Sequence, residues 1–294
     1  MTQTLQHVID AVSLGSLYAL IALGVALIFG IMNLLNFAYG ELIMIGGYAL
    51  YFLRDLPFAF QALGAIAVVV LASVLIERIA FRPVRGANAA VLLVTSFAVS
   101  FALQSLAIVV FGARAKGVSL PSWLDDSLAI GSLRVSSLSL ITVGVAVVVL
   151  VTFAIFLKRS PMGIQMRAAA ESFGTARLMG VKANSVIVAA FVLSALLAGI
   201  VAILVVAQGG TVSPTMGSSL VLVAFVATII GGMGSLSGAA LGGFLLGALT
   251  VALQVLLPES LRPYRDAFLY GAVIVILVVR PGGLVAVRSA LERV

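Results

Sequence analysis

The sequence contains no cysteine and a single histidine, His7, near its start. Without thiols, neither a disulfide nor a thiolate-bound metal can form, and one histidine is too few for a histidine-based metal site or catalytic triad. A phosphate-binding G-x-x-x-x-G-K-[ST] loop is also absent, since none of the three lysines, Lys116, Lys158 and Lys182, has that context. The chain therefore cannot hydrolyse ATP by that route, and no metal or cofactor is predicted.

Charge is scarce as well. Charged residues make up 9% of the 294 positions, hydrophobic residues make up 63%, and the mean hydropathy is +1.27. A water-soluble domain needs far more charge on its surface. The net charge of +7 does not indicate nucleic-acid binding, because the basic residues lie between apolar blocks and form no basic face. The composition predicts an integral membrane protein.

The apolar residues form blocks long enough to cross a hydrocarbon core, which takes roughly 20 helical residues. The first block follows an N-terminus without basic residues and is too long for a cleaved signal, so we interpret it as a span. The pattern predicts a single all-α, polytopic transmembrane domain over 1–294, with about 8–10 transmembrane helices and broken or re-entrant segments. The blocks 37–53 and 217–233 are the least regular. The nine candidate spans are 8–31, 37–53, 58–77, 88–111, 137–157, 185–208, 217–233, 235–257 and 265–280.

Basic residues are distributed unevenly between the loops. If the spans alternate, the segments 77–87, 158–184 and 280–294 share one side of the membrane and carry eleven of the seventeen basic residues. These are Arg78, Arg82, Arg85, Lys158, Arg159, Arg167, Arg177, Lys182, Arg280, Arg288 and Arg293. The positive-inside rule assigns that side, and the C-terminus, to the cytoplasm. Nine spans would place the N-terminus outside, and one re-entrant segment would reverse that assignment.

Two loops exceed the usual connector length. The outer loop, about 112–136, contains Pro121, Trp123, Asp125 and Asp126 and is predicted to cover the membrane interface, with a docking site as the alternative. The inner loop, about 158–184, contains a Ser160-Pro161 turn, then helix-forming sequence from Gly163 to Met179, and Gly180 as a stop. Arg167 and Glu171 lie four residues apart and so share a helix face. Taken alone, such a helix is commonly a solvated connector.

Polar residues interrupt the apolar run MNLLNFAYGELIMIGGY at 32–48. Asn33, Asn36 and Gly40 permit a broken helix, and irregular backbone at membrane depth is tolerated where it faces protein or a water-filled path. Glu41 is therefore a candidate functional residue that faces such a path. It also lies in the first turn of a helix, where a carboxylate is stabilised by the helix dipole, and the asparagines are equally suited to capping, so both alternatives stay open.

Glycines are concentrated in AFVATIIGGMGSLSGAALGGFLLGAL, residues 224–249. Small residues spaced by four let membrane helices approach closely. We predict helix packing near the translocation path, and plain helix packing is the alternative. The glycines assigned to this role are Gly231, Gly232, Gly234, Gly238, Gly242 and Gly243.

Three motifs resemble one known family, in its order along the chain. Residues 36–48 resemble the pattern N-F-A-H-G-[DE]-x-x-x-x-G-[AG]-Y of branched-chain amino acid permeases, with Tyr39 where histidine is common. AAAESFGTARLMGV resembles the coupling loop of ABC importer permeases, and 231–243 resembles the signature G-G-x-G-x-x-x-G-[AT]-x-x-G-[AG]. The resemblance to the LivH/LivM type covers residues 8–286.

The resemblance implies a permease subunit of an ATP-binding-cassette importer in the bacterial inner membrane. It implies two ATPase subunits, a second homologous permease subunit and a periplasmic or lipid-anchored substrate-binding protein as partners. The coupling residues would be Arg167, Ala170, Glu171, Ala176 and Gly180. The candidate path residues are Asn33, Asn36, Tyr39, Glu41 and Gln208.

The cargo and the mechanism have alternatives. A branched-chain or other apolar amino acid is the expected cargo, whereas urea, short amides and aromatic acids use similar permeases. A channel or secondary carrier acting alone is the rival mechanism, although Glu41 is almost the only carboxylate in the spans, where proton-coupled carriers usually keep several. An intramembrane enzyme lacks a nucleophile–base set, so the chain is predicted to be non-catalytic.

Overall fold

The computed structural model describes residues 2–124, 127–130 and 133–285. Each of the nine predicted spans is a helix, and two further short helices, α6 (Pro161–Glu171) and α7 (Phe173–Leu178), lie in the inner loop. The nine are α1 (Thr2–Met32), α2 (Ala38–Phe52), α3 (Phe58–Ile76), α4 (Ala89–Phe111), α5 (Ser137–Arg159), α8 (Ala183–Gly209), α9 (Met216–Gly231), α10 (Leu236–Leu256) and α11 (Arg265–Val279). The predicted all-α polytopic fold is confirmed.

Six of these helices are long and apolar enough to cross a membrane. The other three, α2, α9 and α11, have 15, 16 and 15 residues. At 1.5 Å per residue they extend only about 22–24 Å, less than the roughly 30 Å of a hydrocarbon core. Two of these short helices, α2 and α9, are the blocks that the sequence marks as least regular.

The described chain forms two compact units. The first comprises Met1–Leu23, Ser122–Val151 and Val223–Val294. It contains α10, α11, the beginning of α1 and a two-stranded hairpin of β2 (Ser127–Ile130) and β3 (Leu133–Ser136). Within this unit α1 and α10 touch backbone to backbone, because a Cβ on Gly243 would overlap Tyr18 O and Ala19.

The second unit comprises Gly24–Pro121 and Thr152–Leu222. Its centre is α2, which packs against α3 and α8. Small residues permit this contact: a Cβ on Gly46 would meet Ala202 of α8 at 2.6 Å and Val69 of α3 at 3.1 Å. A two-residue ladder of β1 (Lys116–Gly117) and β4 (Thr211–Val212) joins the loop after α4 to the segment after α8. Whether the two units act as the predicted single permease domain stays a prediction.

Parts of the predicted outer loop and of the C-terminal segment lie outside the described residues. Asp125 and Asp126 of the loop at 112–136 belong to them, as do Arg288 and Arg293 in the C-terminal segment. The described part of the outer loop holds β1, a short 3₁₀ turn at Ser122–Leu124, and the β2–β3 hairpin. Trp123 is 48% exposed.

Candidate functional site

The break between α1 and α2 is made by two asparagines with different roles. Asn33 directly follows the last residue of α1 with a φ of 50°, a left-handed conformation that asparagine tolerates better than most residues, and its side chain is exposed. Asn36 is 1% exposed, and its Oδ1 accepts a hydrogen bond from the backbone N of Ala38 at 3.1 Å. Asn36 therefore forms an Asx turn just before α2, whose N-cap residue, Phe37, has no side-chain cap hydrogen bond.

Two buried residues of α2 lie next to glycines of neighbouring segments. Tyr39 is fully buried, and a Cβ on Gly24 of α1 would overlap its hydroxyl. A Cβ on Gly40 would overlap the backbone of Gly217 in α9, and the reverse holds as well. Because only glycine allows such an approach, the backbones of α2 and α9 touch at this level.

Glu41 follows Gly40 and is fully buried. Its Oε1 accepts a hydrogen bond from the Ser100 hydroxyl of α4 at 2.9 Å, while its Oε2 is buried without a hydrogen-bond partner among the described residues. No ion pair of Glu41 is found in the described part of the chain. A buried carboxyl with one unsatisfied oxygen is costly, so Glu41 is a candidate functional group, while its place in the first turn of α2 keeps the helix-start role open.

A row of polar side chains on α4 holds these segments together. Ser96 Oγ lies 3.0 Å from Leu35 O in the α1–α2 break, Ser100 binds Glu41, and Gln104 Nε2 donates to Ser218 Oγ of α9 at 3.0 Å. The three residues are spaced by four and therefore share one helix face. We call Ser96, Ser100 and Gln104 the α4 polar row; it links the break, α2 and α9.

Neither the α4 polar row nor Ser218 was predicted from the sequence. The signal was present as Ser-x₃-Ser-x₃-Gln within an otherwise apolar span. Gln208, by contrast, was predicted for the same path, and the structure has it exposed in the last turn of α8. Glu41 and Ser100 meet directly, whereas Asn36 and Tyr39 pack nearby on the same segment.

The inner loop contains two helices where the sequence predicted one from Gly163 to Met179. These are α6 (Pro161–Glu171) and α7 (Phe173–Leu178). The break falls at Ser172, whose side chain accepts from the Thr175 backbone N at 3.4 Å and caps α7. A serine hydroxyl that competes for backbone donors in this way begins a new helix instead of continuing the old one. The single-helix prediction was wrong in this respect.

The two helices form a hairpin whose ends are well defined. Ser160 caps α6 by accepting from Gly163 N at 2.9 Å. After α7, Gly180 has a φ of 85°, and Val181 N bonds to Ala176 O while Gly180 N bonds to Arg177 O. This pair of hydrogen bonds is a Schellman motif, which requires a residue such as glycine in the left-handed position. Gly180 ends the helix, as expected.

Most side chains of this hairpin are exposed, and some of the exposed ones are apolar. Of the predicted coupling residues, Arg167, Ala170, Glu171 and Gly180 are exposed, and Ala176 is buried. Leu178 is 90% exposed and Met179 is 81% exposed. The opposite side is anchored, because Phe173 packs against a buried cluster that includes Leu34 of the α1–α2 break and Phe191 of α8.

A buried ion pair lies in the same unit, between the end of α3 and the start of α8. Glu77 is 1% exposed and pairs with Arg85, whose second nitrogen donates to Asn184 Oδ1 at 2.6 Å. Glu77 begins a π-helical stretch, Glu77–Phe81, a form of helix that is rare and often found at functional sites. Asn184 lies just after the hairpin and connects it to this pair.

Five of the six glycines assigned to packing make close backbone contacts within the first unit. A Cβ on Gly231 would overlap Gly238 O and the reverse, one on Gly242 would overlap Ala227 O, and Gly232 faces Val285 O. Gly234 differs: it lies in the turn before α10 with a φ of 92°, and no atom lies within 4 Å of a Cβ placed there. The backbone turn, not packing, accounts for that glycine.

The family model described as "Branched-chain amino acid transport system / permease component" matches residues 8–278. The chain belongs to this permease family. The membership agrees with the order of the three motifs, and together with the apolar helices it makes the chain a multi-pass membrane permease subunit.

Several relatives of this permease match over nearly their whole length. The high-affinity branched-chain amino acid transport system permease protein LivH of Salmonella typhimurium is 34% identical over 99% of this chain and 97% of its own. BraD of Pseudomonas aeruginosa, with the same description, is 32% identical over 99% and 98%. A probable LivH of Methanocaldococcus jannaschii is 26% identical over 89% and 82%.

One solved structure is similar to this permease at a lower level. PsaBC from Streptococcus pneumoniae in complex with Fab has 17% sequence identity, covers 91% of this chain and 90% of that one, and gives a TM-score of 0.48. The sequence relatives and the chain's own helices, and not this similarity, identify the permease family and its fold.

Proposed function

We propose that this chain is the permease subunit of an ATP-binding-cassette importer that moves a branched-chain or other apolar amino acid across the bacterial inner membrane. The observation that carries the proposal is membership of the branched-chain amino acid permease family over residues 8–278. The proposed assembly contains two ATPase subunits, a second homologous permease and a periplasmic or lipid-anchored substrate-binding protein. In it, this chain is non-catalytic.

The hairpin of α6 and α7 is the proposed contact with the ATPase. Exposed apolar side chains next to charged ones are typical of surfaces that a partner covers. Leu178 and Met179 supply the apolar part, and Arg167 and Glu171, both exposed, supply the charges. Gly180 holds Met179 at the end of α7, so the whole contact is a small structured surface.

The anchored side of the hairpin supports a mechanical role. Phe173 packs into the cluster that contains Leu34, Phe81 and Phe191. Leu34 lies in the break before α2, so a displacement of the hairpin is transmitted by packed side chains to the segment that carries Glu41. Closure of the ATPase subunits would switch the spans between outward and inward access by rigid-body movement of packed elements.

The proposed translocation path passes the contact between α2, α4 and α9. Glu41, Ser100, Gln104 and Ser218 are its proposed polar residues, and the backbones of Gly40 and Gly217 touch beside them. An amino acid carries an ammonium group, for which the free Oε2 of Glu41 is a suitable acceptor. Asn33, Asn36, Tyr39 and Gln208 remain proposed path residues. Asn36 and Tyr39 are buried in this structure and pack within the segment that carries Glu41.

The proposal is tested by reconstitution of the whole complex, with ATPases, second permease and binding protein, in proteoliposomes. We expect uptake of radiolabelled leucine only when ATP is present on the side of the vesicle membrane that carries the ATPases. A Walker-lysine variant of the ATPase serves as the matched control and abolishes uptake. Uptake by this chain alone, without ATP, would identify a channel or a secondary carrier instead.

The cargo is tested in the same vesicles by competition. Unlabelled isoleucine and valine are expected to reduce leucine uptake, whereas urea, acetamide and benzoate are not. Competition by one of the latter three, with none by the aliphatic amino acids, would keep the ABC permease and replace its cargo.

A further inference from the structure

A cavity of about 380 Å³ lies between α2, α3 and α4 in the second unit. It is lined by α2 side chains between Met44 and Leu53, by Val68 of α3, and by α4 side chains between Leu103 and Phe111. The lining is aliphatic and aromatic. A volume in this range, roughly 300–1,000 Å³, is typical of pockets that hold an organic ligand.

The surface around this cavity is itself apolar and belongs to the short helix α2 and to α3 and α4, which are long enough to cross a membrane. Phe52, Leu106 and Val110 are 57%, 58% and 59% exposed, and all three line the cavity. On a helix that crosses the membrane, such side chains face lipid or another subunit. The apolar side chains at the opening of the cavity are therefore suited to contact with a lipid acyl chain.

Two cations lie at the end of the cavity where α2 stops. Arg54 follows the lining residue Leu53, and its guanidinium carbon is 5.3 Å from the centre of the Tyr51 ring; the Lys116 Nζ is 5.1 Å from the same centre. Tyr51 in turn packs edge-on against Phe52, a lining residue. The charged groups of Arg54 and Lys116 both lie near the Tyr51 ring and are therefore within about 10 Å of each other, roughly one Debye length.

The local charge is not balanced by the described residues. Asp55 lies 3.9 Å from Arg54, but its side chain is 92% exposed, so this ion pair is weak. No described acid is within 4 Å of Lys116. Two cations beside an apolar cavity at the end of a span match the two parts of an anionic phospholipid, since arginine and lysine bind phosphate oxygens and the cavity accepts an acyl chain.

We propose that the cavity between α2, α3 and α4, together with Arg54 and Lys116, is a binding site for one anionic phospholipid. The acyl chain occupies the cavity, and the phosphodiester lies between the guanidinium and the ammonium. A zwitterionic phospholipid binds less well, because its headgroup does not neutralise the excess positive charge. The site is independent of the cargo and of the ATPase contact.

The test uses the full-length protein in nonionic detergent and native mass spectrometry with an equimolar mixture of phosphatidylglycerol and phosphatidylethanolamine. The wild type is expected to retain one phosphatidylglycerol in preference. Arg54→Gln with Lys116→Gln is expected to reduce that preference about tenfold, since both charges that would face the phosphodiester are removed. The matched control, Arg262→Gln with Lys158→Gln, removes the same charges elsewhere; Arg262 is also a half-exposed arginine, 3.8 Å from an exposed acid. It keeps the preference.

A second pair of variants tests the cavity without changing charge. Ala107 is 4% exposed and lines the cavity, and Ala102 is exposed on the same helix outside it. Ala107→Phe is expected to lose the bound lipid, and Ala102→Phe to retain it. Equal retention of both lipids, unchanged preference in the Arg54/Lys116 variant, or full retention in Ala107→Phe would each overturn the proposal. So would protection of this face by a second permease subunit, shown by cross-linking from Val110→Cys.

Discussion

Glu41 combines properties that no single sequence pattern joins. The sequence shows that Glu41 is an ionisable residue within an apolar block, directly after Gly40. Its partner Ser100 lies 59 residues away on α4 and is brought to it by helix packing. A periodic row such as Ser96, Ser100 and Gln104 predicts a polar face, but not which segment that face meets, because tertiary contacts are not encoded in spacing along one helix.

Replacement of Glu41 by glutamine separates the two roles that the sequence leaves open. The amide side chain of Glu41→Gln keeps an oxygen for the Ser100 hydroxyl, so the packing of α2 is retained, but it lacks the negative charge offered by Oε2. We expect leucine uptake by the reconstituted complex to fall at least about tenfold, as for loss of one charge-assisted contact, with little change in thermal stability. Ser100→Ala is the matched control for the hydrogen bond. Normal uptake together with a lower melting temperature in the glutamine variant would identify Glu41 as a helix-start residue.

The inner hairpin shows what can be predicted for an element and what cannot. Ser160-Pro161 as its start and Gly180 as its end follow from local chemistry, since capping and left-handed backbone have sequence signals. The division at Ser172 was missed, because helix propensity alone favours continuity through an alanine-rich stretch. The exposure of Leu178 and Met179 also could not be predicted, because large apolar side chains are usually expected to be buried.

The exposed apolar pair provides the test of the hairpin as the ATPase contact. Leu178→Ser with Met179→Ser removes apolar surface that touches little within this chain, so we expect folding to be preserved and the ATPase to be lost on co-purification. Glu171→Lys, which reverses an exposed charge, is expected to reduce ATP-dependent uptake, and Gly180→Arg strains a backbone with a φ of 85°. As a control, Leu256→Ser changes a leucine that is 79% exposed at the end of α10. Undiminished ATPase binding and uptake in the Leu178/Met179 variant would exclude this contact.

The ion pair between Glu77 and Arg85 connects the π-helical end of α3 to Asn184, just beyond the hairpin. Because Glu77 is buried, removal of Arg85 leaves a carboxylate without a counter-charge. We expect Arg85→Met to lower the free energy of unfolding by about 3–5 kcal/mol and the double variant Glu77→Met/Arg85→Met to regain most of it. Denaturant unfolding in detergent measures both. Similar losses in the single and double variants would show that the pair acts through packing alone.

For the whole molecule, the pattern of apolar blocks predicted all nine apolar helices to within a few residues. This succeeds because the lipid solvent forces each long apolar segment into a helix that satisfies its own backbone. The division into two compact units was not predicted. Each unit contains close contacts between segments that are far apart in the chain. Gly40 contacts Gly217 in the second unit, and Gly243 contacts Ala19 in the first. Glycine spacing predicts that a helix packs closely, but not against which partner.

The orientation of the chain in the membrane can be tested by thiol labelling of single cysteines. The protein contains no cysteine, so no native residue has to be replaced first. Gly174 in the inner hairpin and Gly117 in the outer loop are exposed, and no atom lies within 4 Å of a Cβ at either position. We expect a membrane-impermeant maleimide to label Gly117→Cys in intact spheroplasts and Gly174→Cys only in inverted vesicles, because the eleven basic residues on the side of Gly174 favour the cytoplasm. Labelling of Gly174→Cys from outside would separate the hairpin from any cytoplasmic ATPase, and the mechanism proposed for this permease would fail with it.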